Sequence, residues 1–188
     1  MILEAAEEWN SIDTEEWDRT IFYSESSGFI ATHKLKSPDN DKDATGGVYG
    51  ENKVNELLAK AGKRIYRLPE NISDDTLIFG RPYKDLLKYK ENGKPYGYPD
   101  DYFDGQTWDI KSIKTANEDS VREHFRNGRK ADNVIFYFNA KIEFKDFTIA
   151  IRKEIGFRKS IGKVLSMPDI YLINNGCLTL FWNKKGEQ

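Results

Sequence analysis

Cysteine and histidine are scarce in this sequence of 188 residues. The single cysteine, Cys177, excludes an internal disulfide and a cysteine-based zinc site, and it leaves the redox compartment open. The two histidines, His33 and His124, leave little material for the ligand set of a zinc hydrolase.

Long hydrophobic runs are also absent. The longest purely apolar run, Val134 to Phe138, is far shorter than the about 18 residues that a membrane-spanning helix needs. The first residues, Met1 to Glu4, lack the basic and apolar segments of a signal peptide. Charged residues make up 32% of the chain and the mean hydropathy is -0.71. These features predict a soluble globular protein that acts in the cytoplasm and has no membrane partner.

Charge is distributed unevenly along the chain. Residues 1–18 carry seven acidic residues and no basic one, whereas residues 111–164 carry thirteen Lys or Arg against seven Asp or Glu. Residues 36–47 are rich in turn-forming residues. We therefore predict an acidic N-terminal arm or linker over residues 1–45, with a strand near 28–34, ahead of a main domain over 46–188. The basic second half is compatible with a polyanionic substrate, although charged faces are more often simply solvated.

The rest of the chain is organised around the segment 98–112, which reads as a β-hairpin. The step Asp104-Gly105 favours a two-residue turn, because both residue types tolerate positive φ. Side chains alternate between the faces of a strand, so such a turn places Asp100 on the same face as Asp109 and Lys111. The opposite face carries the apolar side chains of Phe103, Trp108 and Ile110.

Two carboxylates on one face of a hairpin have two interpretations. Like charges this close are unfavourable unless something positive lies between them, and paired carboxylate oxygens suit a hard cation such as Mg²⁺. In the alternative, the hairpin is a solvated surface on which Lys111 merely neutralises Asp100 and Asp109. The hairpin by itself does not choose between them.

Residues 48–61 have the apolar spacing of a helix that ends at Gly62. Glu51 lies on the same side of this helix as Val54 and Leu58, and therefore faces the sheet. A buried carboxylate there needs a partner, because an unpaired buried charge is expensive. Alternatively, Glu51 only favours the N-terminus of the helix electrostatically.

Further elements follow on both sides of the hairpin. A short strand is predicted at 63–68, then an excursion over 69–98 whose tyrosines alternate with lysines. Those rings suit stacking on unpaired bases, although packing of the loop itself is the more frequent use. After the hairpin we predict a helix from a capping box at 115–118 to Asn127, a strand at 133–138, a helix within 141–159 and a final hairpin over 169–182.

The order helix, strand, strand, strand, helix, strand resembles the PD-(D/E)XK nuclease superfamily. The residues that carry the resemblance are Glu51 on the first helix, Pro99-Asp100, and Asp109-x-Lys111 on the following strand. The resemblance implies an α/β fold with an αβββαβ core, in which helices flank a mixed central sheet. Here an N-terminal arm and a C-terminal β-hairpin would be added to that core.

Several short runs resemble a narrower group, the C-terminal toxin nucleases of contact-dependent growth inhibition (CdiA-type) and their phage and mobile-element relatives. They are the Asp104-Gly105 turn, the run from Trp108 to Ser112, and the later segment 129–135. Many of these toxins cleave tRNA, which implies an RNA substrate and an acidic immunity protein as partner. Where this group often has Gln, the chain has Lys130, which puts one substrate contact in doubt.

The resemblance implies a role for each site residue. Asp100 and Asp109 would bind Mg²⁺ or Mn²⁺, helped by the carbonyl of Ile110 and by Glu51, directly or through water. Lys111 would orient the attacking water or stabilise charge on the phosphate. A basic set would hold the nucleic-acid backbone, namely Arg122, Arg126, Arg129 and Lys130.

Other functions and motif registers remain open at this stage. Helix 50–62 also resembles the Mrr-like and resolvase-like branches of the superfamily, which would make the chain a DNA endonuclease. A third possibility is a catalytically inactive module that binds nucleic acid or protein. Asp104 competes with Asp100 for the first acid, and Glu143-x-Lys145 with Asp132 offers another register.

Overall fold

The computed structural model describes residues 2–37, 47–113, 117–138, 144–174 and 177–186. Within these ranges the helices are α1 (Ile2–Ser11), α2 (Gly47–Lys60), α3 (Glu118–Asn127) and α4 (Phe144–Ser160). The strands are β1 (Trp17–Tyr23), β2 (Gly28–His33), β3 (Arg64–Arg67), β4 (Leu77–Ile78), β5 (Arg81–Pro82), β6 (Asp101–Phe103), β7 (Gln106–Ile113), β8 (Asn133–Phe138), β9 (Asp169–Asn174) and β10 (Cys177–Trp182). Short 3₁₀ turns lie at Tyr83–Leu86, Gly128–Lys130 and Val164–Ser166.

In the part of the chain that the structure describes, eight strands form one mixed sheet in the order β1-β2-β3-β6-β7-β8-β9-β10. The pairs β2·β3, β7·β8 and β8·β9 are parallel, and the other neighbouring pairs are antiparallel. The predicted α/β class, with helices flanking a mixed central sheet, is therefore confirmed. Strands β4 and β5 pair only with each other in a separate two-stranded sheet. Apart from them, the order α2, β3, β6, β7, α3, β8 is the order of elements that the sequence predicts for the central part.

The central hairpin has the predicted two-residue turn. Asp104 and Gly105 both have positive φ, at 51° and 75°. This conformation twists with the flanking strands, so it closes β6 onto β7 with Phe103 opposite Gln106. On one face the rings of Phe103 and Trp108 stack with their centroids 4.4 Å apart. The predicted division of the hairpin into an apolar face and a charged face is confirmed.

The two faces of the sheet are covered by different helices. On one face, Val54 and Leu58 of α2 pack in the same apolar cluster as Trp108 and Ile110 of β7. The other face is covered by α3 and α4, whose Phe125 and Phe147 pack with the side chains Val134 and Phe136 of β8. Asp109 is in register with Val134, and Lys111 with Phe136. Asp109 and Lys111 therefore point to the face that α3 and α4 cover.

A glycine allows α2 to lie close to β7. A Cβ atom placed on Gly50 would lie 2.4 Å from the Cβ of Ser112, a distance that real Cβ atoms do not reach. The N-terminal part of α2, in which Glu51 directly follows Gly50, is thereby held against the strand that carries Asp109.

The acidic segment 1–18 divides between a helix and a strand. Helix α1 ends at Ser11, and Trp17 begins β1. A turn intervenes in which Glu15 N donates to Asp13 Oδ1 at 2.9 Å, and β-branched and aromatic residues favouring strand follow at 20–23. Trp17 is buried in a cluster with Phe29 of β2. In the described residues, the predicted arm thus supplies two strands of the main sheet; its predicted boundary at residue 45 lies outside them.

Several later elements agree with the sequence. Helix α3 is capped by Asn117, whose side chain accepts a hydrogen bond from Ser120 N at 2.8 Å; residues 115–116 of the predicted capping box lie outside the described residues. Strands β9 and β10 form the predicted C-terminal hairpin. Lys145 lies in α4, so the alternative register with Asp132 is not a hairpin; Glu143 is outside the described residues. No described helix is long and apolar enough to cross a membrane.

Candidate active site

The hairpin brings Asp100 and Asp109 together on its charged face. Asp100 N donates a hydrogen bond to Trp108 O at 2.9 Å, which continues the β6–β7 ladder by one residue. Its carboxylate also accepts a hydrogen bond from Ile110 N, at 2.8 Å to Oδ2. Asp100 is 6% exposed and Asp109 is fully buried. The main chain of the hairpin therefore fixes two desolvated carboxylates side by side.

Two ammonium groups lie against these carboxylates. Lys111 Nζ donates to Asp109 Oδ1 at 2.9 Å and lies 2.8 Å from Oδ2 of the same group. Lys130 Nζ lies 2.6 Å from Asp100 Oδ1 and 2.9 Å from Asp109 Oδ1, so it bridges the pair. The cluster of two carboxylates and two ammonium groups carries no formal net charge. This balance explains how two acids tolerate burial at a separation where like charges repel.

Lys130 reaches the site from the 3₁₀ turn that follows α3. Its aliphatic stem passes Gly97, on which a Cβ atom would lie 3.4 Å from Lys130 Cδ. Gly97 has φ of 147°, a conformation that disfavours other residues. The sequence predicted Lys130 as a contact for the nucleic-acid backbone, but in the structure its ammonium lies between the carboxylates of Asp100 and Asp109. The only sequence signal was the departure from the Gln that the resembled toxins often carry.

The pKa values of Asp109 and Asp100 are shifted in opposite directions. Burial raises the pKa of Asp109 to about 7, and the charge of Asp100 adds to the effect against the opposing pull of Lys130 and Lys111. For Asp100, burial is outweighed by Lys130, Lys111 and hydrogen bonds, which hold its pKa below the usual value. Burial also lowers the pKa of Lys130, but the two neighbouring carboxylates outweigh it and raise the pKa above its usual value.

The oxygens of the pair are suitable ligands for a divalent cation. Mg²⁺ keeps several waters and is commonly bound by one or two carboxylates together with substrate phosphates. Asp109 Oδ2 is buried and, among the described residues, accepts no hydrogen bond despite its ion-pair contact with Lys111. Asp100 and Asp109 therefore fit Mg²⁺ or Mn²⁺ in charge and ligand type. Lys130 Nζ already contacts Oδ1 of both groups, so a cation at these oxygens would have to displace it.

Glu51 lies near this cluster but on the other face of the sheet. Its Oε1 accepts a hydrogen bond from Arg67 Nη2 at 2.9 Å and lies 3.3 Å from Lys36 Nζ. Burial raises the pKa of Glu51, and the charge of Asp100 raises it further, while Lys36 and Arg67 oppose the rise. The predicted partner on the sheet is therefore present, as Arg67. Whether Glu51 also takes part in catalysis or metal binding stays a prediction.

A second buried acid accompanies Glu51 on the face that α2 covers. Asp101 is fully buried and accepts a hydrogen bond from Asn55 Nδ2 at 3.1 Å. Burial raises the pKa of Asp101 well above its usual value, and the charge of Glu51 adds to this. Across the described residues, no three Asp, Glu, His or Cys side chains are grouped so that they could hold a metal ion.

The basic side chains predicted to hold a nucleic-acid backbone have different surroundings. Arg122 forms an ion pair with Glu154, with Nη2 3.3 Å from Oε2. Arg126 is exposed, and its Nε donates to Arg122 O at 3.4 Å. The Arg129 guanidinium lies over the ring of Tyr96, 4.8 Å from its centroid. Arg126 and Arg129 thus remain the better placed candidates for a phosphate contact.

Sequence reasoning gave no role to His124, which lies within electrostatic reach of the site. Burial lowers the pKa of His124, and the charge of Lys111 lowers it further. The imidazole comes from α3, one turn before the segment that carries Lys130. The rival acid Asp104 lies at the turn instead, paired with Lys63 at 2.5 Å.

Comparison of the chain with protein-family models, with curated proteins and with solved structures gave no match.

Proposed function

We propose that this chain is a nuclease that uses Mg²⁺ or Mn²⁺ to hydrolyse phosphodiester bonds in RNA, with tRNA as the preferred substrate. One observation carries the proposal: a hairpin in the mixed central sheet holds two buried carboxylates, Asp100 and Asp109, beside the ammonium of Lys111. The motif Pro99-Asp100 with Asp109-x-Lys111 and the order of the elements support a PD-(D/E)XK type of site.

Each residue of the cluster has a chemical task in this proposal. Asp100 and Asp109 would hold the cation, with the Ile110 carbonyl as a predicted further ligand. The resemblance also implies Glu51 as a ligand, but its carboxylate is engaged by Arg67 and Lys36 on the face that α2 covers. When bound, such a cation polarises a phosphate oxygen and lowers the pKa of a water molecule. Lys111 is held at Asp109 and presents a fixed positive charge to the phosphate, which stabilises the negative charge that develops during hydrolysis.

The preference for RNA comes from the resemblance to the toxin nucleases, because the wider superfamily mostly cuts DNA. Arg126 lies in the last turn of α3, and Arg129 directly precedes Lys130 in the following 3₁₀ turn. Both suit the sequence-independent attraction of a phosphate backbone. In a toxin of this type an acidic immunity protein would cover the same basic side chains.

A digestion experiment tests the proposal. Purified protein is incubated separately with total tRNA and with plasmid DNA, each with Mg²⁺ or Mn²⁺ and with EDTA. We expect metal-dependent cleavage of tRNA. Asp109→Asn should lower the rate by about 10²-fold or more, whereas the matched change Asp104→Asn at the turn should leave it unchanged. Cleavage that survives EDTA or Asp109→Asn would refute the mechanism, and cleavage of plasmid alone would make the chain a DNA endonuclease.

The bridging position of Lys130 favours a second candidate, a nucleic-acid-binding module without catalysis. Lys130 and Lys111 already neutralise the two carboxylates, so the protein needs no metal ion at this site in order to fold. This candidate predicts binding of tRNA in EDTA, measured by fluorescence anisotropy, with no cleavage under any metal condition.

A further inference from the structure

A cavity of about 450 Å³ is lined by Arg129 and Ala131, the two residues that flank Lys130 in the chain. Its walls come from two loops, one around residues 88–96 and one around 162–167, and from the turn that contains Arg129. Arg129 directly precedes Lys130, and Tyr96 directly precedes Gly97, which lies against the Lys130 stem. The cavity and the carboxylate cluster therefore share two short stretches of backbone.

Two contacts hold the guanidinium of Arg129 in the wall of this cavity. Arg129 stacks on Tyr96 with 4.8 Å between its Cζ atom and the ring centroid, and its Nε donates to Arg126 O at 2.8 Å. Within the described residues Arg129 makes no ion pair. Burial lowers the pKa of Arg129, and the charge of Arg158 lowers it further. The charges of Tyr96 and Glu154 oppose this fall in the pKa of Arg129 only in part. A partly desolvated guanidinium without an ion-pair partner among the described residues favours an anion or the π-face of a base.

The other cations of the cavity are held loosely. Lys163 Nζ pairs with Glu91 at 2.6 Å and Lys184 Nζ lies 3.5 Å from Asp169, while Lys88 pairs with Asp132. The Lys163–Glu91 pair is exposed and contributes little free energy, so a phosphate can replace its carboxylate partner. Lys88 and Lys184 are in partly buried pairs and add positive charge to the same lining. Met167 adds a buried apolar wall. The lining thus combines a stacking plane, phosphate-binding ammonium groups and an apolar surface.

We infer that this cavity is a subsite for one unpaired nucleotide next to the scissile phosphate, an inference that rests on the proposed nuclease function. The base stacks against the Arg129–Tyr96 pair, and the phosphate meets Lys88, Lys163 and Lys184. A base that is stacked inside a duplex cannot enter a cavity of this shape, whereas single-stranded RNA presents splayed bases. The subsite therefore selects single-stranded segments of RNA.

Binding without cleavage tests this inference. The probe is a fluorescently labelled single-stranded RNA oligonucleotide, compared with the same strand in a duplex, in EDTA at fixed salt and with the full chain carrying Asp109→Asn. We expect tighter binding of the single strand. Adding Arg129→Gln or Tyr96→Leu should weaken single-strand binding by about tenfold and leave duplex binding nearly unchanged.

The matched control is Arg81→Gln, which removes a guanidinium stacked 5.6 Å from the Tyr102 ring centroid outside this cavity. It should leave single-strand binding unchanged. Lys163→Glu, at an exposed position, should weaken the single strand without affecting the melting temperature. Equal binding of single strand and duplex, or no effect of Arg129→Gln, Tyr96→Leu and Lys163→Glu, would overturn the subsite. If the tRNA digestion shows no cleavage but these binding results hold, only the proposed nuclease function is contradicted.

Discussion

Lys130 Nζ lies 2.9 Å from Asp109 Oδ1, although the two residues belong to different segments separated by α3. The same ammonium lies 2.6 Å from Asp100 Oδ1. Lys130 thus holds the position between the carboxylates that a divalent cation would share. A bound metal ion would have to compete with Lys130 for the same oxygens, and such competition can be measured.

Lys130→Met should bind Mn²⁺ more tightly than the unaltered chain. Removing the competing ammonium frees both oxygens, and we expect an increase in affinity of about tenfold, equivalent to about 1.4 kcal/mol. Isothermal titration calorimetry without nucleic acid measures this directly. In EDTA the same variant should unfold at a lower temperature, because two buried carboxylates lose a partner at a cost of about 3 kcal/mol.

Lys88→Met is the matched control for Lys130→Met. Lys88 is exposed and pairs with Asp132. Loss of this pair should leave the affinity for Mn²⁺ unchanged and should lower the melting temperature only slightly. An unchanged or weaker affinity in Lys130→Met would mean that Lys130 does not compete with the metal.

The raised pKa of Asp109 predicts a pH-dependent stability in metal-free protein. A carboxyl group whose pKa rises from 3.8 to about 7 on folding binds its proton more tightly in the folded state. Its contribution to stability is complete below about pH 4 and is lost as the pH rises to 7. The lowered pKa of Asp100 acts in the opposite sense, but its contribution is lost only as the pH falls below about 4.

Thermal unfolding in EDTA between pH 5 and pH 8 tests this pH dependence. Asp109→Asn removes the titrating group, so its melting temperature should improve relative to the unaltered chain as the pH rises. A change of about 1 kcal/mol corresponds to a shift of about 2–4 °C in a chain of this size. Asp104→Asn should show a difference that does not vary with pH. A flat difference for Asp109→Asn would show that Asp109 titrates normally.

The hairpin could be read from the sequence because both of its determinants are local. The step Asp104-Gly105 sets the turn, and the alternation of side chains then decides which residues accompany Asp109. Lys130 could not be placed in this way. Its contact with Asp109 depends on how the turn after α3 packs against Gly97, a tertiary relationship with no local pattern.

The position of Glu51 was only half predictable. Helical spacing shows which side of α2 is buried, and Glu51 does face the sheet, where Arg67 meets it. Spacing does not show which face of the sheet the helix covers. Because α2 packs on the Trp108 face, Glu51 and the Asp109 side chain approach the sheet from opposite sides. The αβββαβ order and the α/β class needed no such information.

Glu51→Gln should distinguish an ion-pair role from a metal-binding role. Because Arg67 and Lys36 hold the carboxylate on the α2 face, we expect the affinity for Mn²⁺ to change by less than about threefold. The melting temperature should fall, since Arg67 loses a charged partner. Calorimetry and thermal unfolding are compared with Asp109→Asn, which should lose most Mn²⁺ binding. A loss equally large in Glu51→Gln would make Glu51 a ligand, as the sequence predicts.

Gly50→Ala tests whether close contact between α2 and β7 is required. In an ordinary helix this change would be favourable by about 1 kcal/mol. Here the new Cβ would lie 2.4 Å from Ser112 Cβ, and the resulting displacement of the helix should cost more than that gain. We therefore expect a lower melting temperature, measured by circular dichroism. Ser112→Ala removes the contact with Oγ at 2.6 Å but leaves the closer contact with Cβ, so it should restore less of the stability than Ser112→Gly. Full rescue by Ser112→Ala, or a Gly50→Ala protein more stable than the unaltered chain, would contradict the close approach.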